Sequence, residues 1–203
     1  MNYQLFTEKL KKHIDYRLDQ SMIKITDLVL EELISFAFAD SGQTHLYESG
    51  SHKKGSDIST DDEDFSVKSS KIEGGKMKIS SFRLTRFDND LPSMINFIDN
   101  EGKNFDNYLV LSRNEKADKI SYSFYILPST IFTASSMQWV ENIGKKGQPT
   151  GWKTINNKNV KLSISKSMSD QLWIEIKTDY IKEYLSFEVT RELSSLGKNR
   201  FVA

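Results

Sequence analysis

Two apolar runs constrain what this chain can fold into more than any other feature. Tyr108 to Arg113 (YLVLSR) and Ile120 to Leu127 (ISYSFYIL) are dominated by aliphatic and aromatic residues and are separated only by a charged turn, Asn114 to Lys119. Such short runs, rich in strand-forming residues, predict two strands lying centrally in a sheet. Whatever surrounds them must cover their faces.

Two helices are predicted ahead of this pair. Residues 3–19 place Leu5, Phe6, Leu10, Ile14 and Leu18 in a helical stripe amid charged residues. Ser21 to Ala39 predicts a second helix, with Ile23, Leu30, Leu33, Ile34 and Ala37 on one face and Lys24, Asp27, Glu31 and Ser35 on the other. Asp40 to Gly55 reads as loop around a short strand, THLYES. After the acidic turn Asp61 to Asp64, the run FSVKSSKI predicts a strand that turns at Gly74-Gly75 and returns as KMKIS.

Ser80 to Asp99 is expected to be a helix capped by Ser80 or Ser81 and broken near Pro92. The region around Gly144 to Gly151 reads as loop, VKLSIS and LWIEI as strands, and Lys182 to Leu193 as a closing helix. The whole is expected to be one α/β (α+β) domain over 1–203, with a central mixed sheet flanked by helices. Within it the N-terminal helices occupy 1–40, a hairpin and its following helix about 44–98, and the remaining sheet and closing helix 106–203.

Composition removes several functions. There is no cysteine, which excludes disulfides, thiolate nucleophiles and cysteine-ligated zinc. The three histidines, His13, His45 and His52, have no metal-ligand spacing, and Asp61 to Glu63 fit a solvated turn without the ligand pattern of an EF-hand. Trp139, Trp152 and Trp173 read as packing residues. Lys plus Arg equal 28 and Asp plus Glu equal 28, so any nucleic-acid surface must be local. The first twenty residues are charged throughout, and no apolar run approaches the roughly 20 residues of a membrane span. A cytoplasmic protein without a membrane partner is expected.

The segment richest in chemistry is Gly55-Ser-Asp57-Ile-Ser-Thr-Asp-Asp-Glu-Asp64-Phe-Ser66-Val-Lys68. Period two in a strand puts Ser66 and Lys68 on one face and sends Val67 to the other. An acidic residue at the mouth of one strand, followed by a strand carrying a polar residue and a lysine two apart, resembles the PD-(D/E)XK nuclease signature.

That resemblance implies a restriction-endonuclease-like core and a site-specific, Mg2+-dependent endonuclease of double-stranded DNA, most simply a type II restriction enzyme leaving 5′-phosphates. It makes Asp57 a metal ligand and Lys68 the group that assists the attacking water. Ser66 departs from the pattern, standing where the family usually has Glu or Asp. Glu32, between Leu28 and Phe36 on the border of the apolar arc, is the carboxylate expected to compensate, with Glu48 and Glu73 behind it. Asp64 lies about 13 Å from Lys68 along an extended chain, which makes it a poor substitute.

DNA contacts are expected from Ser69, Ser70, Lys71, Lys78, Ser80, Ser81, Arg83 and Arg86, the last four on the helix after the hairpin, and from Lys53 and Lys54. Ile155 to Ser169 offers a second polar surface. A homodimer would match the two-fold symmetry of a palindromic site. Alternatives are a structure-specific repair or junction nuclease on the same fold and a non-catalytic DNA-binding module.

Overall fold

The computed structural model describes residues 1–20, 24–47, 56–101, 104–166 and 169–192. Helix α1 (Tyr3–Gln20) buries Phe6, Leu10, Ile14 and Leu18. Helix α2 (Asp27–Asp40) buries Leu30, Leu33, Ile34, Ala37 and Phe38, and Phe6 stacks on Phe38 with ring centroids 4.4 Å apart. It starts later than the predicted Ser21, because Thr26 has an extended backbone and serves as the cap position.

The strands are β1 (His45–Tyr47), β2 (Ile58–Thr60), β3 (Asp64–Glu73), β4 (Lys76–Arg83), β5 (Asn107–Glu115), β6 (Lys119–Pro128), β7 (Trp139–Ile143), β8 (Pro149–Thr154), β9 (Val160–Ser165), β10 (Gln171–Lys177) and β11 (Leu185–Glu192). Their order is β11-β6-β5-β3-β4-β10-β9-β8-β7, with β1 and β2 attached at the start of β3. Only β3 and β5 run parallel; the other pairs are antiparallel. The sheet is therefore mixed and flanked by helices, as expected, and the two apolar runs form its neighbouring strands β5 and β6.

The sheet splits beside β3. That strand pairs with β5 from Phe65 to Lys71 but with β4 only at Ile72 and Glu73, and with β2 only at Phe65 and Asp64. From Ser66 to Lys71, one edge of β3 has no paired strand among the described residues. Two cores lie on opposite faces. Phe65, Val67, Leu109, Leu111 and Phe124 pack beneath α1 and α2. Tyr108, Val110 and Leu127 pack with Met77, Ile79, Leu162, Ile174 and Ile176 and with Met94 of α3 (Leu91–Asn96).

Three predicted elements differ. The helix expected from Ser80 is the end of β4, because KMKISSFR keeps a strand alternation with Met77 and Ile79 inward and Lys78 outward. A short 3-10 turn follows at Thr85–Phe87. Asp88 and Asn89 then take left-handed backbone, and α3 starts with Pro92 in its first turn, where a missing N–H costs nothing. The closing helix is a 3-10 segment (Thr178–Tyr184) followed by β11, in which Phe187 and Val189 share the face toward the helix-covered core. The loop at Gly144–Gly151 is the connection of the β7–β8 hairpin and part of β8 itself. Gly151 is needed there: its φ is 138°, and a Cβ would stand 1.8 Å from the Ile164 carbonyl oxygen. Among the described residues no helix is long and apolar enough to cross a membrane.

Candidate active site

The broken edge of β3 is closed by side chains instead of a strand. Asp57, just before β2, accepts the Val67 backbone N–H at 2.6 Å through Oδ2. Two residues on, the Ser69 N–H donates to the carboxylate of Asp27 at the start of α2. A backbone N–H left unpaired in such a place costs roughly 1–3 kcal/mol, so both carboxylates help hold the split open.

The same Asp57 oxygen collects the polar groups of β3. Ser66 Oγ donates to it at 3.1 Å and Lys68 Nζ at 3.1 Å, while Lys68 also donates to the Val67 carbonyl at 2.8 Å. Ser66 is buried, Lys68 and Asp57 partly so. Sequence spacing thus brought Asp57, Ser66 and Lys68 together as expected, with Val67 in the core. All three bonds run to Oδ2; among the described residues Oδ1 carries none.

Of the two neighbouring glutamates of α2, Glu31 is partly buried and Glu32, the one expected at the site, is exposed. Burial pushes the Glu31 carboxyl above the usual range and the negative charge of Asp57 adds to this, while Lys68 pulls the other way. Glu31 stands one turn from Asp27, which holds Ser69 of β3, and one turn from Ser35, which lies beside His45, so its stripe of α2 is turned to the strands. Glu32 is exposed, and its flanking Leu28 and Phe36 are more than half exposed, so that row of α2 points outward. The row that faces the strands is Asp27, Glu31 and Ser35, each one turn from the next. Asp27 holds Ser69, and Ser35 Oγ lies 2.6 Å from His45 Nε2 on β1. A polar stripe at four-residue spacing beside a buried arc was the signal available in the sequence. Glu73 is ion-paired to Lys71 at the hairpin tip, and Glu48 lies outside the described residues.

Comparison with protein-family models, with curated proteins and with solved structures finds no match.

Several of the expected DNA contacts are engaged within the chain. Lys53 and Lys54 lie outside the described residues. Ser69 offers its N–H to Asp27, Ser70 bonds the backbone of Lys78, and Lys71 pairs with Glu73 and Glu115. Ser81 Oγ lies 3.5 Å from the buried Tyr108 hydroxyl. Arg86 sits over Phe97, with its guanidinium carbon 4.2 Å from the ring centre, whereas Arg83 is exposed near the end of β4. Lys78 and Ser80 point to the face of β4 opposite the core.

The donor set fits a hard divalent cation. Burial first, and the Asp57 charge second, disfavour the charged form of Glu31, and a cation bound beside the two carboxylates would relieve both. Magnesium is commonly held by one or two carboxylates, with water and phosphate oxygens completing its shell. Asp57 and Glu31 would be the acidic groups that hold such an ion; among the described residues there is no cluster of three or more His, Asp or Glu side chains suited to one.

Proposed function

We propose that this chain is a Mg2+-dependent endonuclease of double-stranded DNA, of the site-specific restriction type, acting through Asp57, Glu31 and Lys68. The observation that carries the reading is that Asp57 before β2 bonds Lys68 and Val67 of β3, beside the α2 stripe that bears Glu31, along a stretch of β3 edge with no paired strand among the described residues. A phosphodiester approaching this edge would meet an ammonium beside two carboxylates.

Asp57 and Glu31 would hold the ion, with the Ser66 hydroxyl beside them; bound there, magnesium supplies Lewis-acid polarisation of the phosphate. Lys68, kept near Asp57 by its ion pair and by the Val67 carbonyl, orients the attacking water and offsets charge gathering on the phosphorane oxygens. Water adds to phosphorus, the bond to the 3′ oxygen breaks, and the phosphate stays on the 5′ end. A two-fold pair of chains would bring one such site to each strand of a palindrome.

A second reading has its own observation. Asp57 Oδ2 satisfies three donors of β3 at once, which a carboxylate retained only to seal a broken edge would also do; the protein would then bind DNA without cutting it. Digestion of unmethylated phage DNA with magnesium or with EDTA separates the two. Discrete magnesium-dependent fragments support the nuclease. Intact DNA in every lane, with branched junctions also left uncut, removes it. Cutting of junctions without sequence preference would make it a structure-specific nuclease.

A further inference from the structure

The half-sheet from β4 to β7 has one face in a core and one outside it. Met77 and Ile79, Leu162 and Ile164, and Ile174 and Ile176 all belong to the core, so strand alternation turns Lys78, Lys161 and Trp173 to the opposite face. Trp173 belongs to neither hydrophobic core. It packs on the outer face of the sheet and not in either core.

Pairing register organises that face into rows. Ser80, Trp173, Ser163 and Lys153 lie side by side across β4, β10, β9 and β8, and Lys78, Glu175 and Lys161 form the next row. The charged groups on these strands' outer face are the lysines at 76, 78, 153, 161 and 177 and Arg83, which lies opposite Gln171, against Glu175, which is paired to Lys76 at 3.0 Å, and Glu73 of β3 lies opposite Lys76 at the border. Five lysines and one arginine against Glu175 and the bordering Glu73 leave a net four positive charges on this face of the half-sheet, in a chain whose totals balance at 28 and 28.

Trp173 holds this charge in place. Lys78 Nζ stands 4.6 Å from the centre of its ring, and the indole Nε1 is buried with no hydrogen-bond partner among the described residues, so the residue acts through its ring. With Lys78 over that ring, the surface suits phosphate oxygens better than stacked bases. Lys153 and Lys161 are exposed and form no ion pair among the described residues. The face is joined to the candidate site: Ser70, two residues beyond Lys68, bonds the backbone of Lys78 in both directions, at 2.9 and 3.2 Å.

We propose that this lysine face carries the phosphate backbone of the duplex beside the Asp57–Lys68 site, through Lys78, Lys161 and Lys153. The choice of DNA as the polyanion rests on the nuclease reading. Each phosphate contact contributes about 0.9 to the slope of log affinity against log salt.

The test is fluorescence anisotropy of a labelled duplex in EDTA over a salt series. It compares the full chain, a variant with Lys78→Gln, Lys153→Gln and Lys161→Gln, and an equal-charge control with Lys9→Gln, Lys11→Gln and Lys12→Gln on α1. The face variant is expected to lose about 2.7 of the slope and the control essentially none. An unchanged slope in the face variant, equal losses in both variants, or no duplex binding by the unaltered chain would overturn the proposal. Cleavage in magnesium is scored separately. Retained cutting with no face effect removes the lysine face alone, and a face effect without cutting removes the nuclease reading alone.

Discussion

At the residue scale, Asp57 has two separable duties. Its acceptor oxygen closes the β3 edge, and its charge pairs with Lys68 and disfavours that of Glu31. Asp57→Ala leaves the Val67 N–H without an acceptor and Lys68 without its counter-charge, and is expected to lower unfolding stability by roughly 1–3 kcal/mol in urea titration. Asp57→Asn keeps an acceptor and should lose clearly less, while both variants lose magnesium-dependent cutting. Equal losses of stability would show that the charge, not the acceptor, holds the edge.

Glu31 gives a prediction with a sign. The folded chain keeps its proton to higher pH than the unfolded chain, because burial and Asp57 disfavour its charge. Between the two pKa values the folded state binds more protons, so this stability is present below the unfolded value and is lost as pH rises through the folded one. Glu31→Gln removes the penalty. Its melting temperature should match that of the unaltered chain in acid and exceed it toward neutral pH. A variant less stable at neutral pH would mean that Glu31 is held by a favourable contact instead.

At the element scale, legibility followed the origin of each signal. Helix α1, the β3–β4 turn at Gly74-Gly75, β5, β6, β9 and β10 were readable because periodicity or turn chemistry is local. The segment after Ser80 was misread because SSFRLTRF has helical polarity when taken alone, whereas β10 supplies the partner that makes it strand. The end of the chain was misread likewise, since Phe187 and Val189 alternate within a charged run whose partner, β6, lies far off in sequence. Asp57, Ser66 and Lys68 were legible because strand spacing sets them. Glu31, the more buried neighbour of Glu32, was passed over because Leu28 and Phe36, apolar yet exposed, drew the apolar arc of α2 too wide.

Two elements can be tested directly. Gly151→Ala would push a Cβ into the Ile164 carbonyl on β9, and a loss of at least about 3 kcal/mol is expected in thermal or urea unfolding. Phe38→Ala removes the ring stacked on Phe6 between α2 and α1, and should cost about 3–5 kcal/mol. A near-neutral result at either position would mean that the local packing can close around the change.

At the scale of the whole molecule, a mixed sheet split beside β3 leaves an edge at which three chemically distinct elements meet, with a lysine-bearing face next to it. Pairing of two such chains across a palindrome is expected to give a complex on duplex DNA with the mass of two chains in light scattering; a one-chain complex would contradict it. The proposed site is tested most directly by cutting of unmethylated DNA in magnesium by the unaltered chain, Glu31→Gln and Glu32→Gln. Loss of cutting in Glu31→Gln with retention in Glu32→Gln is the expected result. Full cutting by Glu31→Gln, or loss in Glu32→Gln instead, would contradict a site built from α2 onto the open edge of β3.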